Sequence, residues 1–288
     1  MSGTRTLVNT AQLRHGRYRI VLVLVVVLFT VAFIGPIYLL VTNGLKSTTE
    51  SIQTPPTFYP HHVVVGNYRA AWERLDIARL LLNTLWYAFG ALAFQLVLDV
   101  AAAYSLSKLR PVLGNAILGL MLATLMIPAM VLIVPQYLTV LDLPLLHLNL
   151  LNTPWAIWLP SVANAFNIYL LKRFFDSVPQ ELLDSAAVDG AGPLRTLVAI
   201  VLPMSRPIIG VVSIFALVNV WKDFLWPLLA EPDPAQQTLN AGIYSLSLGV
   251  PENVLIAAAA ISAVPTVVFF LIFQRSIMSG LTAGSLKG

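Results

Sequence analysis

The sequence predicts an all-α, polytopic membrane helix bundle of six transmembrane helices, with both termini cytoplasmic and a helical cytoplasmic loop between the fourth and fifth spans. Three observations predict it. Of 288 residues, 58% are hydrophobic and only 10% charged, with mean hydropathy +0.81, against about 25% charged in an ordinary soluble domain. Six apolar runs are long enough for a bilayer core of about 30 Å, which needs roughly 20 helical residues. Lys and Arg gather in alternate connections between those runs, the asymmetry that orients membrane proteins.

This composition excludes a soluble enzyme, a nucleic-acid binder and a disordered chain. The net charge of +4 says little about partners, because charge in a membrane protein acts by location. The absence of cysteine removes disulfides, thiolate metal sites, iron–sulfur ligation and Cys nucleophiles.

The first run, 20–41, carries no charge and contains Gly35-Pro36, which reads as a bend. It is longer than the apolar core of a cleaved signal peptide, about 7–15 residues, so it is a retained span. The other spans are 80–107, 112–141, 153–171, 207–230 and 253–273. Pro128, Pro135, Pro160 and Pro265 fall within them, where neighbouring helices can re-satisfy the freed backbone groups. Segments follow as a tail (1–19), a first helix with its outer loop (20–79), the main transmembrane domain (80–275) and a second tail (276–288).

With the N-terminus inside, the cytoplasmic side collects Arg5, Arg14, Arg17, Arg19, Lys108, Arg110, Lys172, Arg173, Arg195, Arg206, Arg275 and Lys287. The outside receives Lys46, Arg69, Arg74 and Arg79, while Lys222 lies within a span. The longest outer connection, 42–79, is irregular around Thr54-Pro55-Pro56-Thr57 and His61-His62, with a short amphipathic helix near Trp72, Glu73 and Arg74. Two adjacent histidines without further ligands make a poor metal site, so a solvated loop is expected and no metal or cofactor.

The 172–206 loop is the most ordered inside segment. Ser177 and Gln180 have capping-box spacing around Pro179, and Glu181 and Asp184 fall near the positive end of the helix that follows. Leu182, Leu183, Ala186 and Ala187 form a small apolar patch, and Gly190 is placed to close the helix in a left-handed conformation. Gly192-Pro193 then starts a second helix that runs to Leu202, with Pro203 turning the chain back to the membrane. With Glu181, Asp184 and Asp189 and no base, the first helix differs from a Lys/Arg-rich lipid-surface helix. A docking knob for another protein is expected here, ahead of the alternative of an amphipathic loop on lipid headgroups.

Within this loop Asp184-Ser185-Ala186, three residues, Gly190, nine residues and then Ile200, Leu202 and Pro203 resemble the E-A-A…G…I-x-L-P signature of permease subunits of binding-protein-dependent ABC importers. Asp replaces Glu, and Ser replaces the first Ala. Phe174-Phe175, Pro179, Asp189-Gly190-Ala191 and the stretch WKDFLWPL from Trp221 are similar to the same family, and the ending from Gln274-Arg275 through Gly280 to Gly288 is similar to its MalG-like carbohydrate branch. The resemblance implies transport of a sugar or oligosaccharide by alternating access in the cytoplasmic membrane of a bacterium or archaeon, within lipid. It also implies three partners: a second, different permease subunit, a cytoplasmic ATPase dimer and an extracytoplasmic solute-binding protein. The ATPase-coupling residues it implies are Glu181, Asp184, Ser185, Ala186, Asp189, Gly190, Ile200, Leu202 and Pro203. Asn43-Gly44-Leu45-Lys46-Ser47 lacks P-loop spacing, so this chain is a transport subunit and not itself an ATP-hydrolysing enzyme.

Polar groups inside spans are candidates for the solute path. Ser161, Asn164 and Asn167 recur every three residues and cover one helical sector, with Asn219, Trp221 and Lys222 added from the fifth span. Interhelical hydrogen bonding is the competing role for such residues, and an ion pair or outward snorkelling competes for Lys222. Trp155 and Trp158 fit an interfacial belt better than sugar stacking, and Asp99 fits a structural contact. Another solute, such as a polyamine or glycerophosphodiester, is the alternative on the same fold. An autonomous secondary transporter is the alternative from another class.

Overall fold

The computed structural model describes the backbone of residues 4–283 and the side chains of residues 18–274. The side chains of Arg5, Arg14, Arg17, Arg275 and Lys287, and those of the 280–288 ending, lie outside the described residues. Among the described residues the chain is helical, with one isolated β-bridge between Leu143 and Leu148. The principal helices are α1 (Thr4–Gly44), α2 (Gly66–Arg74), α3 (Ile77–Tyr104), α4 (Gly114–Thr124), α5 (Ala129–Leu141), α6 (Pro154–Ser161) and α7 (Ala165–Asp176). After these come α8 (Gln180–Val188), α9 (Pro193–Met204), α10 (Arg206–Lys222), α11 (Leu225–Ala230), α12 (Leu239–Ser245) and α13 (Glu252–Ala283).

Three helices among the described residues are long and apolar enough to cross a membrane, and five segments qualify if each bent pair counts as one. One bent pair is α4–α5, whose halves meet at 104°, so the third expected span, 112–141, is not a straight crossing. Pro128 accounts for the break. It has no N–H to offer the preceding turn, and it disfavours helical backbone at Ile127. The end of α4 accordingly tightens into i→i−3 bonds, with Leu125, Met126 and Ile127 donating to Leu122, Ala123 and Thr124. The fourth expected span, 153–171, is likewise two short helices, α6 and α7, interrupted at 162–164. The fifth leaves helix after Lys222 and resumes at Leu225. By contrast, α1 continues through Pro36.

The chain divides into two compact units, Met1–Arg74 with Gly249–Ile261, and Leu75–Leu248 with Ser262–Gly288. In the first unit the loop after α1 is organised around two buried charges. The Lys46 ammonium donates to the Thr57 carbonyl, and Glu50 accepts from Thr57 Oγ1 (2.9 Å) and from the His61 amide (3.0 Å). His61 Nδ1 also lies 3.0 Å from Glu50 Oε1. Asn67 Nδ2 donates to the Gly44 and Lys46 carbonyls, while its own Oδ1 accepts from Asn253 Nδ2 at 2.9 Å. The loop expected to be solvated is therefore pinned from inside, because a buried Lys and a buried Glu must each find partners.

In the second unit α3 is the central helix, packed along α6, α7 and α10. One apolar core joins Ala103 and Tyr104 of α3 to Ile168, Leu171 and Phe175 of α7, and continues through Val178 and Leu183 to Leu197 and Val201. A second joins Tyr87, Ala88 and Ala91 to Trp158, Leu217 and Trp226. Gly90 permits this closeness, since a Cβ there would fall 2.3 Å from the Trp158 ring.

Candidate functional site

Two places gather the candidate residues. The first is the 172–206 loop. Here α8 starts at Gln180 with Pro179 as the flanking residue, and no side chain caps it. The capping box expected from Ser177 and Gln180 does not form. Ser177 lies too early, its hydroxyl turning back to the Phe174 carbonyl at 2.6 Å, while Gln180 Nε2 donates to Asp184 Oδ1 at 2.9 Å. The closing end matches expectation. Gly190 sits at φ +74°, with its amide donating to Ala187 and that of Ala191 to Ala186, the paired bonds of a Schellman motif.

The faces of α8 divide differently from the expected Ala-rich docking patch. Leu183 and Ala186 are buried within the chain's own fold, whereas Glu181, Leu182, Asp184, Ser185, Val188 and Asp189 are exposed. Ala186 therefore seats α8 on the bundle, and Ser185 and Val188 lie on the free face. The second helix is capped by Gly192 with Pro193 first, as expected, but it ends at Ser205 rather than turning at Pro203. A π-helical turn at Leu197–Val201 precedes Pro203, with the Leu202 amide reaching Leu197. This widened turn absorbs the proline, which cannot donate in a regular helix. Ile200 and Leu202 are half-buried and Pro203 exposed.

The second place is a cleft of about 450 Å³ in the second unit. Its polar wall comes from Gln95 of α3, Gln136 of α5, Ser161 of α6, Asn164 at the start of α7, Asn219 of α10 and Asp223 beyond it; Ala129, Met130, Ile133 and Leu225 supply apolar wall. Ser161 and Asn164 are thus brought together here, though not as one helical sector, since the backbone breaks between them. Asn164 instead caps α7, its Oδ1 accepting from the Asn167 amide at 3.1 Å.

Three expected path residues stand elsewhere. Asn167 is buried behind the wall, beside Asp99. Trp221 is buried edge-on against Phe269, ring centroids 5.6 Å apart, with its carbonyl held by Asn240. Lys222 is exposed, one turn beyond Asn219 on α10, and outside the lining. Sequence reasoning missed Gln95, Gln136 and Asp223. The usable signal was Gln95, one turn before Asp99 on the same face of α3. Trp155 and Trp158 pack with Trp86 and Phe94 away from this lining.

Asp99 is fully buried and accepts the Asn164 amide on Oδ1 at 3.0 Å. At the other end of α7, Asp176 accepts from Ser107 Oγ at 2.7 Å and from Lys172 Nζ at 2.8 Å. Burial alone would raise the Asp176 carboxyl, but these bonds and the charges of Lys172 and Lys108 outweigh it and hold the group below its ordinary value.

Residues 96–281 match the family of binding-protein-dependent transport system inner membrane components. The chain is 33% identical to the sulfoquinovosyl glycerol transport system permease protein SmoH of Agrobacterium fabrum, over 88% of each chain. It is 29% identical to the melibiose/raffinose/stachyose import permease protein MelC of Bacillus subtilis, over 94% of this chain and 97% of that one. It shares its fold with a chain of a bacterial ABC transporter that imports the acidic polysaccharide alginate, at TM-score 0.78 and 21% identity, over 90% of this chain and 95% of the other. The match over residues 96–281 covers most of the helical bundle described above, and the chain belongs to the binding-protein-dependent transport system inner membrane component family.

Proposed function

We propose that this chain is one permease subunit of an ATP-driven importer that moves a sugar or oligosaccharide across a bacterial or archaeal cytoplasmic membrane by alternating access. In this reading the chain crosses six times with both termini in the cytoplasm, the bent and broken segments each counting as one crossing. A second, different permease completes the path, a binding protein delivers solute from outside, and a cytoplasmic ATPase dimer docks on α8.

One observation carries the reading: a nine-residue helix, closed by a left-handed Gly190, presents acids on a free face while Leu183 seats it in the bundle core. Glu181, Asp184, Ser185 and Asp189 meet the ATPase, Gly190 sets the turn, and Ala186, Ile200, Leu202 and Pro203 fix how the knob sits. The solute class draws on the cleft, whose amides and hydroxyl at Gln95, Gln136, Ser161, Asn164 and Asn219 suit a polyhydroxylated solute through neutral hydrogen bonds. It also draws on relatives named for melibiose, raffinose and stachyose and for sulfoquinovosyl glycerol.

Lys222, an exposed cation within a span one turn from cleft-lining Asn219, stands outside the lining, where the charged side chain is Asp223, so it is assigned to a contact outside the cleft and not to selection of an acidic sugar. The test is ATP hydrolysis by the reconstituted complex against a panel of neutral and acidic sugars. Stimulation by a sugar supports the reading, and stimulation only by a polyamine or glycerophosphodiester replaces the solute class.

A further inference from the structure

We propose that α3 and α7 act as one rigid strut carrying the displacement of α8 to the cleft, with Asp99 as the positioning residue at its cleft end. The inference rests on the coupling role of α8 proposed above.

The strut is tied at both ends by residues far apart in sequence. At the cleft end the fully buried Asp99 accepts the Asn164 amide at 3.0 Å. A helix start offers unpaired N–H groups and the positive end of its dipole, so this carboxylate holds α7 where the fourth segment breaks. Gln95 lies one turn before Asp99 on the same face of α3. Gln95 and Asn164 both line the cleft, which puts Asp99 one layer behind two groups positioned to meet solute.

At the far end a π-helical turn, Ser105–Leu109, continues α3 and turns Ser107 inward, where its hydroxyl donates to Asp176 at 2.7 Å. Lys172 holds the other Asp176 oxygen at 2.8 Å, and Lys108 Nζ donates to the Val178 carbonyl at 3.1 Å. Between the ties, Ala103, Tyr104, Ile168, Leu171 and Phe175 form apolar core. The twelve residues of α7 span about 18 Å. Buried Val178 and Leu183 extend the same core into α8, so motion of α8 cannot be absorbed between α8 and α7. On the other side of Asn164 the backbone leaves helix at 162–164, so α6 and α7 are separate helices, and α6 meets the strut through α3 at Trp158 and Gly90.

The test uses the complete complex in proteoliposomes, reading solute taken up per ATP hydrolysed. Asp99→Ala removes the acceptor and lowers that ratio about tenfold, with ATP hydrolysis kept within about twofold. Asp99→Asn keeps an oxygen that accepts the same amide and restores most of the ratio. A fall of uptake and hydrolysis in proportion overturns the positioning role. Because the chain has no cysteine, the far tie is tested independently by the Ser107→Cys/Asp176→Cys pair, which also decides the matter if Asp99→Ala fails to assemble. Uptake that survives oxidation of the pair supports a rigid strut, and a block by oxidation that reduction reverses overturns it. Solute uptake by wild-type protein without the ATPase overturns the coupling role itself, while the cross-link result still reports on the strut.

Discussion

The amide of Ala191 donates to the carbonyl of Ala186 at 2.9 Å, across the turn that Gly190 makes at φ +74°. That bond closes α8 and aims the chain into the second helix of the loop. Among the described residues, nothing beyond its two chain neighbours lies within 4 Å of where a Cβ on Gly190 would sit, so a side chain there costs backbone strain and not crowding. Gly190→Val is expected to cost about 1–2 kcal/mol at this left-handed position, to leave membrane insertion intact and to abolish transport. Membrane fractionation beside an uptake assay checks it; Gly190→Ala has the same sign and a smaller effect.

Gly90 fails for the opposite reason. A Cβ there meets the Trp158 ring at 2.3 Å, and the ring is held by its Nε1 donating to the Tyr87 carbonyl at 3.2 Å. Gly90→Val is expected to force α3 and α6 apart at a cost of about 1–3 kcal/mol. Thermal unfolding in detergent reads this as a lowered midpoint.

Glu231, in the loop after α11, is fully buried and neither carboxylate oxygen has a hydrogen-bond partner among the described residues. Burial first, and the nearby Asp233 second, push its carboxyl from an ordinary 4.5 up to about 8. A folded value above the unfolded one means that the folded chain binds the proton more tightly. Its contribution to stability is intact below pH 4.5, falls as pH rises toward about 8 and is fully lost above that. Glu231→Gln is expected to flatten this dependence, unfolding later than wild type at pH 9 and with little difference at pH near 4.5. Melting curves across that range measure it.

Asn219 of α10 and Gln136 of α5 reach the cleft from different helices. Asn219→Ala and Gln136→Ala are each expected to raise the solute concentration for half-maximal uptake about two- to tenfold, one hydrogen bond's worth, with assembly unchanged. Trp221→Phe, at a buried packing position, is expected to shift stability instead. Uptake titrations beside melting curves separate the two effects.

Much of this was legible from local signals. Hydropathy marked the apolar segments, and Gly190 and Gly192-Pro193 marked the ends of the loop helices, because those conformations follow from the residues themselves. Pro128 was visible, yet its outcome as a sharp bend depended on how neighbouring helices met the freed carbonyls. The break at 162–164 was not legible, because the acceptor that holds it, Asp99, lies on α3 and far away in sequence. Lys46 and Glu50 looked like loop charges for the same reason, since their burial depends on Thr57, His61 and Asn67 folding over them. Periodicity placed Ser161, Asn164 and Asn167 on one face only by assuming a continuous helix.

The central claim is that this chain passes solute only when a separate ATPase drives it through α8. The most direct measurement is sugar uptake into proteoliposomes holding the complete complex, with solute-loaded binding protein outside and ATP inside. Uptake that requires both ATP and binding protein, and is lost in Gly190→Val, is the predicted result. Accumulation of sugar by vesicles containing this chain alone, driven by an ion gradient and indifferent to ATP, would contradict it.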